Sequence, residues 1–94
     1  MNKEQLKEKI NNSIEQIAAR MEVLEAKKDV LQADAKAKYD EKMAELKGKK
    51  SDWQKKYEEL KDMSDEKMEE VKEQFTKANE YFKEGLDELG ELFK

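Results

Sequence analysis

The chain has 94 residues, 47% of them charged and 36% hydrophobic, with a net charge of −4 at pH 7 and neither Cys nor His. That length holds one domain at most. The absent residue types exclude disulfides, thiol chemistry, ordinary zinc sites and His-dependent catalytic triads. Such polarity would suit a disordered chain. Against that, Pro is absent, and Lys, Glu, Ala, Leu, Gln and Met, the strong helix formers, dominate. High charge with a sustained helical period is the composition of a coiled coil.

Met1-Asn2-Lys3 leads straight into an amphipathic pattern rather than a secretion signal. No apolar run approaches the roughly 20 residues that span a bilayer, so a cytoplasmic protein is expected. The apolar stripe begins Leu6, Ile10, Ile14, Ile17, Met21, Leu24, Leu31, with Lys28 as a charged interruption. Asn11-Asn12-Ser13 offers a late alternative start, with Ser13 and Gln16 as a capping box. The stripe continues as Ala35, Tyr39, Met43 and Leu46, then Trp53, Tyr57, Leu60, Ser64, Met68, Val71 and Phe75. It closes with Ala78, Phe82, Leu86, Leu89 and Phe93. Steps of four recur at 31–35–39–43 and at 60–64–68. These read as stutters, which relax a left-handed supercoil.

The strongest punctuation is Lys47-Gly48-Lys49-Lys50-Ser51-Asp52-Trp53-Gln54. Gly48 suits the left-handed position that ends a helix, and Ser51 with Gln54 matches a capping box. The expectation is therefore an all-α, antiparallel two-helix coiled-coil hairpin. Its helices span about residues 3–47 and 52–93, with a turn at 48–51. Folding about that turn pairs positions that sum to 99, such as Leu46 with Trp53 and Leu24 with Phe75, and sets the two stutters side by side. An extended helix dimerising antiparallel would make the same pairs between chains.

A lone hairpin half-buries its stripe, so self-association is expected, as a homodimer with a four-helix core. The candidate interface is a small-residue seam on the first helix: Ala19, Val23, Ala26, Val30, Ala33, Ala37 and Ala44. The bland reading is that Ala is merely a good exposed helix former. Val23 and Val30 favour the seam, because β-branched side chains suit a solvated helix poorly.

At the expected tip, Lys47, Lys49, Lys50, Lys55 and Lys56 surround Trp53. Such a cluster could contact phosphate on lipid or single-stranded nucleic acid. Its other reading is compensation of a helix dipole, with Trp53 closing the coil. General nucleic-acid binding is not expected, since residues 1–47 balance ten basic against ten acidic side chains and 48–94 carry ten against fourteen. The face running from Val71 to Phe93 could lie on a membrane surface, but the hairpin register already supplies it with partners.

The segment Asp62-Met63-Ser64-Asp65-Glu66-Lys67-Met68-Glu69-Glu70-Val71-Lys72 resembles a box found in a group of short, uncharacterised bacterial coiled-coil proteins. There a small residue, Ser and an acidic residue precede a Trp-Glu-Glu-Leu-Lys run. Met68 stands at the Trp position, and the closing segment differs at Asn79-Glu80-Tyr81. The resemblance spans Ala35–Phe93 and shares the look of apolipoprotein amphipathic repeats, which implies a lipid-binding alternative. It implies no activity, cofactor or site. No catalytic residue, metal ligand or cofactor is expected. The functional expectation is a structural or adaptor protein acting through helix pairing, with reversible binding to lipid or another apolar surface as the alternative.

Overall fold

The structure, a computed structural model, describes residues 2–94 and is all-helical among them. Three helices pack together: α1 (Lys3–Lys27), α2 (Ala33–Glu59) and α3 (Asp65–Glu91). Every helix touches both others, and the molecule measures 48 × 18 × 17 Å. A helix of this length is about 40 Å long, so the three lie side by side as an up-down-up bundle.

Local chemistry starts α1 at Asn2. Its Oδ1 accepts from the Gln5 backbone N–H at 2.9 Å, and the Asn2 N–H donates to Gln5 Oε1 at 3.1 Å. This is a capping box, in which two free backbone groups at a helix start are satisfied reciprocally. Asn11, Asn12 and Ser13 therefore lie inside α1, and the later start does not occur.

The two reversals share one construction. A 3-10 turn closes each helix, Lys28–Val30 after α1 and Leu60–Asp62 after α2. Two extended residues follow, Leu31 and Gln32 in the first case and Met63 and Ser64 in the second. Ser64 then caps α3, its hydroxyl accepting from the Lys67 N–H at 3.3 Å. These reversals fall at the positions that the periodicity presents as stutters. Leu24 to Leu31 spans seven residues across the first reversal and Leu60 to Met68 eight across the second, each about two helical turns, so the stripe resumes in phase.

The expected turn at residues 48–51 is replaced by continuous helix, because α2 runs unbroken through it. No glycine adopts positive φ. Leu46 and Trp53, expected to face each other across a hairpin, are both buried on one face of the same helix. Breaking α2 between them would separate that shared face. Gly48 in a helix interior costs only about 1 kcal/mol, less than burying either side chain contributes. The hairpin pairing is thus replaced by three helices around one core.

That core contains sixteen buried apolar side chains among the described residues, from Leu6 to Leu89, and every one belongs to the predicted stripe. Trp53 meets Phe75 edge-on at 4.9 Å, and Tyr39 meets Phe93 at 6.1 Å. Gly85 allows α3 to approach α2 closely: a Cβ there would stand 2.7 Å from Leu46 Cδ2.

Gly48 offers a direct check, because a Cβ there would meet nothing within 4 Å. Gly48→Ala is expected to raise stability by about 1 kcal/mol, the helix-interior difference between the two residues. Urea unfolding measures it. A loss of similar size would point to a left-handed Gly48 and a turn at that place.

Candidate functional site

α1 and α3 run parallel, and one ion pair marks their register. Arg20 Nη2 lies 3.0 Å from Asp87 Oδ1, an offset of 67 residues. Val23, one turn beyond Arg20, thereby stands level with Gly90. Gly90 has no side chain, and a Cβ there would meet nothing within 4 Å. The result is an open groove of about 350 Å³ lined by Ala19, Arg20, Val23, Leu24, Leu86 and Gly90. Arg20 is its one charged residue. Val23 is 55% exposed there, and Val30 is 78% exposed in the first turn. Among the described residues they are the exposed large hydrophobic side chains.

The seven expected seam residues are all exposed, but they do not form one stripe. Ala19, Val23 and Ala26 lie on α1, Val30 in the turn, and Ala33, Ala37 and Ala44 on α2. The reversal at Leu31–Gln32 divides the seam between antiparallel helices. Only Ala19 and Val23 line the groove, and Arg20, Leu86 and Gly90 join them. Leu86 and Gly90 could not be foreseen as partners of Val23, because the hairpin register placed them opposite the start of the chain. The available signal was Gly90 itself, a residue without helix propensity in a segment of strong helix formers.

The expected basic tip lies within the C-terminal half of α2. Lys47 Nζ bonds Glu25 Oε1 at 3.1 Å, tying α2 to the end of α1. Lys50 is half-buried and Lys55 exposed. Lys49, Trp53 and Lys56 instead line a second groove with residues of α3.

Near the first reversal, Glu25 is held below the usual carboxylate range, chiefly by its hydrogen bond from Lys47 against a smaller opposing effect of burial, with Lys28 adding to the lowering. Its contribution to stability is present above the ordinary carboxyl pKa and fades as pH falls through the lowered one. Tyr39, wholly buried, has a hydroxyl that faces the Glu25 carboxylate but makes no hydrogen bond of full geometry. Burial first, then the nearby Glu25 carboxylate, pushes its pKa up to about 12.

No group of three acidic, His or Cys side chains is placed to hold a metal ion among the described residues. None of the described helices is long and apolar enough to cross a membrane. Compared with known protein families, with characterised proteins and with solved structures, the chain finds no match.

The Tyr39 hydroxyl predicts the behaviour of Tyr39→Phe. At pH 7 the variant is expected to match or exceed the wild type by up to about 1 kcal/mol, since a buried group without a full hydrogen bond is removed. The wild type keeps the Tyr39 contribution below the ordinary pKa of 10.0 and loses it as pH rises towards about 12. The phenylalanine variant lacks that loss, so the stability difference should widen in its favour over this window. Paired urea titrations from pH 7 to 11.5 measure it. Destabilisation at pH 7 would mean that the hydroxyl is satisfied.

Proposed function

We propose that this chain is a non-enzymatic helical interaction protein that associates with a second copy of itself through the α1–α3 groove. The observation carrying this reading is the level placement of Val23 beside the side-chain-free Gly90 on one exposed apolar surface. A two-fold axis parallel to the helices would set α1 of each copy against α3 of the other. Val23 would then enter the hollow at Gly90 of the second copy, twice over. Arg20 and Asp87, paired with each other at 3.0 Å and both exposed beside the groove, would be able to exchange partners with the same pair of the second copy. Such self-complementarity is what an isologous dimer requires.

The product would pair two three-helix bundles, in place of the four-helix assembly that two hairpins would make. Lipid binding is the competing use of the apolar surface. It would require α3 to leave the bundle, since Val71, Phe75, Phe82, Leu86 and Leu89 are all buried in the core.

Sedimentation equilibrium tests the reading with two variants. Val23→Glu puts a charge into the proposed contact, and Gly90→Leu fills the hollow while leaving room for the monomer to fold. The wild type is expected to be dimeric at tens of micromolar. Each variant should be monomeric with helicity unchanged, the buried charge costing several kcal/mol of association. A monomeric wild type sinks the proposal. If it also sediments with anionic vesicles, the lipid reading takes its place.

A further inference from the structure

On the other side of α3, Lys49, Trp53 and Lys56 share one face of α2, spaced by four and then three residues. Gln74, Lys77, Ala78 and Tyr81 answer them from α3, and the two rows enclose an open groove of about 440 Å³. Its floor is fixed. Trp53 is only 7% exposed and is held edge-on by Phe75. Lys56 is also held: its Nζ lies 5.1 Å from the Trp53 ring centre and donates to Gln74 Oε1 at 2.8 Å. An ammonium has three donors, so this one keeps two for a ligand.

Lys49, Lys56 and Lys77 form no ion pair among the described residues, and no carboxylate lines the groove. The neighbouring groove differs, with Glu45 and Asp52 beside Lys49. So does the groove at the far end of the bundle, where Asp65 and Glu69 accompany Lys3. Asp52, Glu73 and Glu80 lie close in sequence to the three lysines, and the Tyr81 hydroxyl at the rim donates to Glu45 Oε1 at 3.5 Å, all four carboxylates standing outside the lining. They weaken the pull on a bare anion, so a ligand must also gain from the aromatic floor.

We infer that the α2–α3 groove binds a small aromatic anion, a planar ring carrying one carboxylate, sulfonate or phosphate. The ring lies over Ala78 against the exposed edges of Trp53 and Tyr81, whose faces carry Lys56 and Lys42, and the anionic head accepts from the three ammonium groups. Apolar edge contact and charge each supply part of the affinity. This site is separate from the α1–α3 groove and does not depend on self-association.

Trp53 is the chain's single tryptophan, so its fluorescence reports on the groove directly. The probe is 8-anilinonaphthalene-1-sulfonate, titrated at low ionic strength against the intact protein. One saturable site per chain is expected, with Trp53 emission quenched and affinity falling as sodium chloride is added. Lys56→Gln should weaken binding about threefold, and the triple change at Lys49, Lys56 and Lys77 to Gln at least roughly tenfold, as expected for partly exposed charge contacts. The same change at the exposed Lys9, Lys27 and Lys61 should leave affinity unaltered. Glutamine keeps the helix propensity of lysine, and circular dichroism confirms the fold of each variant. Three results would overturn the inference. One is a groove triple variant that binds like the wild type. Another is loss of binding on Val23→Glu instead, which places the probe between α1 and α3. The third is full competition by sodium sulfate at the same concentration, which reduces the site to a bare anion contact.

Discussion

A single apolar stripe, repeating about every 3.6 residues from Leu6 to Phe93, has to be enclosed by a chain that is nearly half charged. Two long helices would cover each stripe side chain from one direction and leave its flanks wet. Three shorter helices cover it from two. Phe75 shows the difference: Trp53 of α2 lies across its ring, while α1 packs on the remaining side of the core. Reversing the chain twice costs little, because each link needs only two extended residues after a 3-10 turn. The placement of both grooves follows from that choice. α1 and α3 become parallel neighbours, which brings Val23 level with Gly90, and α2 lies antiparallel against α3, which brings Lys56 to Gln74.

The core was legible in the sequence, and the reversals left only weak signals there. Hydrophobic period depends on which side of a helix faces its neighbours, and Leu6, Met43, Leu60 and Leu89 keep one phase whether the chain bends or runs straight. The reversals leave little trace because Leu31, Gln32, Met63 and Ser64 adopt ordinary extended backbone that any residue can reach. Neither needs Gly or Pro. Gly48 carries a strong turn signal and lies in a helix, where the burial of Leu46 and Trp53 outweighs its propensity. Ser64 followed by Asp65 and Glu66 was the readable start signal of α3. The second reversal could have been placed from it.

The surfaces followed the same division. Exposure of the seven seam residues was readable from the helical pattern, since each lies off the stripe. Their association into one surface was not, because that depends on where the chain turns. The same is true of the lysines around Trp53. Their clustering is local and visible in sequence, whereas Lys77 and Tyr81 join Lys49 and Lys56 only through the α2–α3 pairing. Contacts set by helix spacing survive an error in topology, and contacts between helices do not.

The reversal at Leu31–Gln32 is the feature on which this architecture rests, and one distance decides it. Glu25 and Lys47 touch in the bundle, Nζ to Oε1 at 3.1 Å, whereas 22 residues of unbroken helix would hold them about 33 Å apart. Spin labels at Glu25→Cys and Lys47→Cys replace a partly exposed ion pair, whose loss costs at most about 1 kcal/mol. Pulsed electron paramagnetic resonance of the double-labelled chain, diluted with unlabelled protein, then reads the separation within one molecule. The bundle predicts a narrow distribution below about 20 Å, allowing for the reach of two labels on touching side chains. A distribution centred near the straight-helix distance of about 33 Å would contradict it.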